Sequence, residues 1–192
     1  MSGTYPTTPV FNGVDFDSRY YNLSSETTSG RTQVRNIGGQ RWEFSVSYPP
    51  LTRSEFAPVT AFIMGQRGMA ETFTIVLPEI SSRSGDASGT VRTSAAEAIG
   101  QTTISIDGLS GTLKAGDVIK FNSHSKVYMI VADLTGSGDL EIQPALRQNV
   151  PNDDAITYNN VPFTVRLNND VQSYSLGLAS LVEYEVDFIE AI

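Results

Sequence analysis

Arg41-Trp42-Glu43-Phe44-Ser45-Val46-Ser47 decides the fold class: Trp42, Phe44 and Val46 fall on one side of an extended chain, Glu43, Ser45 and Ser47 on the other. A period of two with one wholly apolar side describes a strand buried on one face. A tryptophan on the inward side of such a strand anchors a core. Gly38-Gly39 lies just upstream, and glycine reaches positive φ without steric penalty. The pair is expected to turn residues 32–37 back onto this strand as a hairpin.

Downstream, Pro49-Pro50 stops the strand, and Thr52-Arg53-Ser54-Glu55 has the spacing of a capping box that opens a helix. Phe56, Val59 and Ile63 then share one helical face. Pro58 would lose a hydrogen bond in a helix interior, so a start at Ser54, with Pro58 in the first turn, is expected. Gly65 and Gly68 close the helix, and residues 71–77 resume alternation with Phe73, Ile75 and Leu77 before Pro78.

Upstream, the first thirty residues are polar and irregular and contain Pro6, Pro9 and Gly13. They read as an arm anchored by Phe11, Phe16, Tyr20 and Tyr21, packed either on their own chain or on a neighbouring subunit. Residues 79–94 are rich in Ser, Gly and Thr and nearly free of apolar side chains, as a linker or exposed loop would be.

Five short strands are then expected at 102–106, 118–121, 127–132, 140–143 and 155–158. Turns at Asp107-Gly108, Ala115-Gly116-Asp117, Ser123-His124 and Gly136-Ser137-Gly138 divide them. That spacing describes a small closed or nearly closed barrel. Longer strands return at 161–167, 173–178 and 181–189. In the last, Val182, Tyr184, Val186 and Phe188 alternate with Glu183, Glu185 and Asp187.

The chain has 192 residues, enough for one or two domains, and its 40% hydrophobic and 18% charged content suits a folded chain. Thirteen basic against 21 acidic residues give a formal charge of -8. The densest basic run is only Arg31, Arg35 and Arg41, so nucleic acid is not an expected partner. Without cysteine there is no disulfide or thiolate chemistry, which suits a reducing cytoplasm. No apolar stretch approaches the ~20 residues that span a bilayer, and residues 1–9 carry no signal pattern.

Catalytic and ligand motifs are weak. His124, the single histidine, lies in Asn122-Ser123-His124-Ser125-Lys126, which reads as a turn between strands rather than as part of a triad. Asp133-Leu134-Thr135-Gly136-Ser137-Gly138-Asp139 has oxygen side chains like a calcium loop, yet its twelfth position is Pro144 where a bidentate glutamate is needed. Gly108-Leu109-Ser110-Gly111-Thr112-Leu113-Lys114 lacks the Gly-Lys-Ser/Thr ending of a phosphate loop. Glu43, Glu183, Glu185 and Asp187 could pair for glycoside cleavage, but their alternation with apolar residues describes a solvated sheet face. No enzyme, no cofactor and no metal are expected.

Gly39-Gln40-Arg41-Trp42-Glu43-Phe44-Ser45-Val46, then Glu55, Ala61-Phe62, Gly68, Phe73 and Glu185-Val186-Asp187-Phe188, resemble in pattern and order the distal tail proteins of long-tailed bacteriophages, of the lambda-type minor tail protein M family. Residues 93–159 depart from the short family form. Gly100-Gln101-Thr102-Thr103-Ile104-Ser105-Ile106 and Leu113-Lys114-Ala115-Gly116-Asp117-Val118-Ile119-Lys120-Phe121 are similar to an inserted barrel of tail and baseplate proteins.

The resemblance implies a mainly β chain: a β-sandwich-like tail framework with one helix, plus an inserted small OB- or SH3-like β-barrel. Residues 1–30 would be the arm, 31–82 with 160–192 the discontinuous framework, 83–92 the linker and 93–159 the barrel. It implies a structural virion protein of the tail tip or baseplate, made in the bacterial host cytoplasm. Its form would be a homo-oligomeric ring, often a hexamer, joining the tail tube to distal tail proteins. Ring contacts are expected on Phe11, Phe16, Tyr20 and Tyr21 of the arm, on the helix at residues 55–66 with Arg53 and Arg67 beside it, and on strand edges; barrel contacts are expected near residues 117–126, from Asp117 to Lys126. The alternative is a module that binds carbohydrate or peptide at the host surface, which exposed barrel aromatics would favour; Phe121, Tyr128 and Tyr158 read instead as core residues.

Overall fold

The computed structural model describes residues 3–177 and 181–192. Its first elements are β1 (Gly13–Glu26), β2 (Thr32–Ser47), α1 (Arg53–Gly65), a short 3-10 turn (Gly68–Ala70) and β3 (Phe73–Ile75). Then come β4 (Arg92–Thr93), β5 (Thr103–Asp107), β6 (Thr112–Leu113), β7 (Val118–Phe121), β8 (Val127–Ile130), β9 (Leu134–Thr135), β10 (Gly138–Gln143) and β11 (Ile156–Thr157). The last are β12 (Phe163–Leu167), β13 (Ser175–Leu176), β14 (Val182–Glu183) and β15 (Glu185–Glu190). The described residues are thus mainly β with one α-helix, as the alternation and the helical spacing predict. Of the strand expected at 173–178, β13 is present, while position 178 lies outside the described residues.

Two units are distinguished by their internal contacts. One comprises Thr8–Glu71 and Arg166–Glu190. Here β2 pairs antiparallel with β1 on one side and with β15 on the other, so that Phe44 lies opposite both Phe16 and Phe188, and Val46 opposite both Val14 and Val186. Trp42, Phe44, Val46 and Phe188 are buried, and Phe44 meets the Phe188 ring at 5.5 Å. Each such side chain taken from water contributes roughly 1.5–3 kcal/mol.

Two expectations about the strands fail in this unit. Gly38-Gly39 does not turn the chain; both lie inside β2 at φ near +85°, opposite the register shifts around Tyr21. Their positive φ serves a bulge, and the hairpin reverses instead at Thr27-Thr28-Ser29-Gly30-Arg31. There the Thr27 and Gly30 N–H groups donate to the Arg31 and Thr27 carbonyls, and Gly30 takes φ +77°. The amino-terminal segment is likewise not irregular from Gly13 onward: it is β1, and Val14 and Phe16 supply the inward face that polar neighbours hide in the sequence.

α1 buries Phe56, Val59 and Ile63, as its spacing predicts. Its start is one residue earlier than expected, at Arg53, which puts Pro58 in the second turn. The Glu55 carboxylate accepts the Thr52 N–H at 2.9 Å and the Thr52 hydroxyl at 2.7 Å, and this closed cap fixes the start despite the proline. The same hydrogen bonds hold the Glu55 carboxyl below the usual carboxylate range.

The other unit comprises Met1–Thr7, Thr72–Val165 and Ala191–Ile192. In it β3 pairs antiparallel with β12. A six-stranded antiparallel sheet follows the order β11-β7-β8-β10-β5-β4. An isolated bridge from Arg92 to Ala155, and the Ile156 N–H donating to Val91 O at 3.0 Å, bring its two end strands together into a nearly closed barrel. Ile104, Ile119, Phe121, Tyr128, Leu140 and Ile142 fill its interior.

Residues 79–94 are not an exposed loop. Ala87 and Val91 are buried in the barrel core and β4 is one of its strands. Gly85 and Gly89 lie so close to the Thr112 and Gly108 carbonyls that a Cβ would sit 2.1 and 2.3 Å from those oxygens. Glycine here permits close backbone approach, which composition alone does not distinguish from flexibility.

Candidate assembly surface

The outstanding surface feature is the far half of the β1–β2 hairpin. β15 covers β2 only from Ser47 to Glu43, where Ile189 ends the register. Beyond that point the hairpin continues to Glu26 and Thr32 with two strands only. Among the described residues, β1 pairs with β2 alone, and positions 32–39 of β2 pair with β1 alone. Both edges therefore present backbone donors and acceptors outward.

Both faces are open as well. Leu23 lies opposite Arg35, which places Leu23, Arg35 and Ile37 on one face, while Val34 points to the other. Leu23, Val34 and Ile37 are each about 60% exposed. A two-stranded ribbon is marginal in water by itself, and three large aliphatic groups on its surface add an unfavourable hydration term. Alternation in this stretch is too interrupted to reveal these residues, and no sequence signal marks where the third strand stops.

The expected contact residues separate into three groups. Phe11 packs edge-on against Tyr48 at 5.4 Å, and Phe16 stacks on Trp42 at 4.7 Å, so both stabilise their own chain. Tyr20 and Tyr21 are exposed on the hairpin, with the Arg19 guanidinium 5.5 Å from the Tyr21 ring centre. Arg53 is exposed at the start of α1, and Arg67, in the left-handed region at φ 56°, forms an ion pair with Glu71.

Asp117 and Lys126 are buried and offer no side chain to a partner. Asp117 Oδ1 accepts the Ser84 N–H at 2.8 Å and the Ser84 hydroxyl at 2.7 Å, and Oδ2 accepts the Lys114 N–H at 3.0 Å. A carboxylate with three donors is an internal fastener of the barrel.

Glu183, Glu185 and Asp187 lie on the exposed side of their strands, with the Ser45 hydroxyl donating to Glu185 at 2.9 Å and Arg19 bonded to Glu43 at 3.0 Å. His124 sits in a turn but is buried, its Nε2 2.9 Å from the Tyr128 hydroxyl and its Nδ1 3.1 Å from the Ser123 hydroxyl. The Tyr128 oxygen also accepts the Arg147 N–H. Burial lowers its pKa, with nearby Lys120 acting in the same direction and Asp154 opposing. Phe121 and Tyr128 are wholly buried and the Tyr158 hydroxyl donates to Gly89 O, which leaves the barrel no aromatic platform for a sugar at these positions. Among the described residues no cluster of His, Asp and Glu could hold a metal ion, and no helix is long and apolar enough to cross a membrane.

Comparison with known proteins agrees with this architecture. Residues 81–161 match the family model for the B domain of distal tail protein pb9. The chain is also 26% identical over 175 residues to distal tail protein pb9 of Escherichia phage T5, a match covering 85% of this chain and 84% of that protein. Both findings support a phage distal tail family and a structural protein of the phage tail.

Proposed function

We propose, with a phage distal tail family as the premise, that the chain is a ring-forming adaptor at the tail tip or baseplate that joins the tail tube to distal components. In this reading the unit that carries the β1–β2 hairpin closes a homo-oligomeric ring, and the inserted barrel, about residues 81–161, offers surface to other tail proteins. The family-model match to residues 81–161 supports treating the barrel as a separate unit.

The observation that carries the reading is the hairpin half with two open edges and two open faces. A head-to-tail contact that closes after a fixed rotation makes a ring. Around such a ring every β1 runs in one sense and every β2 in the other, so β1 of one copy meets β2 of the next antiparallel. That is the pairing both edges already use inside the hairpin. A neighbour seated in this way satisfies the edge groups and sets its own side chains beside Leu23 and Ile37 on one face and Val34 on the other.

The test is a pair of charge substitutions, Leu23→Glu and Val34→Glu, introduced into phage. Both sites are exposed, so stability of the isolated chain is expected to change by no more than about 0.5 kcal/mol. Incorporation into particles should be lost, as read by immunoblot and electron microscopy of purified virions. Normal incorporation of both variants would overturn the reading.

A further inference from the structure

The outer edge of the short strand β3 is closed within the chain. β3 has three residues, and its inner side pairs with β12 from Phe73↔Val165 to Ile75↔Phe163. Successive residues of a strand direct their backbone groups to opposite edges. Within β3, Thr74 is therefore the residue whose N–H and C=O point away from β12. Both groups are occupied by the chain's own amino-terminal segment: the Thr74 N–H donates to Gly3 O at 2.9 Å, and the Tyr5 N–H donates to Thr74 O at 2.8 Å.

The segment is held by more than these two bonds. Thr4 forms a parallel bridge with Thr74, and their hydroxyls lie 3.2 Å apart. Tyr5 is buried and stacks on Phe73 with ring centres 5.9 Å apart. A tyrosine anchor beside a threonine pair is a strong fixture for three residues, and it fills the one outward donor and acceptor that β3 possesses.

We propose that Gly3–Tyr5 is an edge guard, which keeps β3 from accepting a strand of a second copy and so confines self-association to the hairpin. The identity of the incoming strand rests on the self-assembly reading above; the guarding contact itself does not. A chain with several open edges can associate in several registers and build open aggregates, whereas one edge pair that matches head to tail gives a defined contact. Closing β3 in cis removes a competing mode.

The full-length Tyr5→Pro variant removes the N–H donor and the ring together. Exchange of the Thr74 amide should accelerate by at least about tenfold, and sedimentation should show mass rising with concentration beyond that of wild type. A synthetic peptide of residues 1–8 in excess should restore the wild-type distribution by refilling the edge. Tyr5→Ala, which keeps the donor, should give a smaller shift in the same direction and serves if the proline variant misfolds. A deprotected Thr74 with an unchanged mass distribution would overturn the proposal, as would new association that the peptide fails to reverse. Adding Leu23→Glu separates the two readings: guard-dependent association persists in the double variant, even where the hairpin has no part in assembly.

Discussion

At the scale of single residues, His124 shows how a turn position becomes a buried one. The sequence places it correctly between β7 and β8, but burial depends on the Tyr128 hydroxyl four residues away and on the Ser123 side chain. Both ring nitrogens face hydroxyls inside the barrel, where the charged imidazolium would lose its contact with water. The folded state therefore lowers the His124 pKa below its ordinary value of 6.5, chiefly through burial. The unfolded chain binds the proton first, so the stabilisation is complete above that value and is lost as pH falls from there toward the folded pKa. One-proton linkage sets a ceiling of about 1.4 kcal/mol per pH unit in that window. Urea midpoints between pH 7.5 and 5.5 should fall more steeply for wild type than for His124→Gln, and parallel slopes would contradict this account. The burial of Asp117 and Lys126 is hidden in the sequence for a related reason: charged residues in a turn-rich stretch look solvated. The Ser84 donors that allow Asp117 to be buried are 33 positions away in the chain.

At the scale of elements, legibility followed periodicity. The spacing of Phe56, Val59 and Ile63 identified the buried face of α1, because a 3.6-residue period is set by the residues themselves. That face gives a direct contrast: Ile63→Asp places a charge in an apolar environment and should cost at least about 3 kcal/mol in urea unfolding. Arg53→Glu, on the exposed first turn, should cost less than about 0.5 kcal/mol; comparable losses from the two would refute the assignment of faces. The hairpin was less legible. Gly38-Gly39 is a turn signal by composition, yet whether two glycines make a turn or a bulge depends on the partner strand, and β1 was hidden because only Val14 and Phe16 mark its inward face. Where β15 ends opposite Glu43 is a property of pairing, so the open half of the hairpin could not be read from residue types.

At the scale of the whole molecule, the boundary of the barrel separates what composition suggests from what packing requires. Residues 83–92 look like a linker, and a barrel of 93–159 follows from that; the structure draws the same segment into the core, and the family-model match spans 81–161. A fragment of 93–159 would lack Ala87 and Val91 from the interior and the pairing of Arg92 with Asp107, and it would leave Asp117 without both Ser84 donors. Losing one buried valine forfeits roughly 1.5–3 kcal/mol, and an underpaired buried carboxylate adds about 1–3 kcal/mol or more. Together these approach the whole stability of a small domain, about 5 kcal/mol at the lower end. The fragment 81–161 is therefore expected to unfold cooperatively by circular dichroism, and 93–159 to show no cooperative transition at 25 °C. Equal melting of the two would return residues 81–92 to the role of a tether; unequal melting means that the serine- and glycine-rich segment is a wall of the barrel, its glycines selected for close approach to the Thr112 and Gly108 carbonyls.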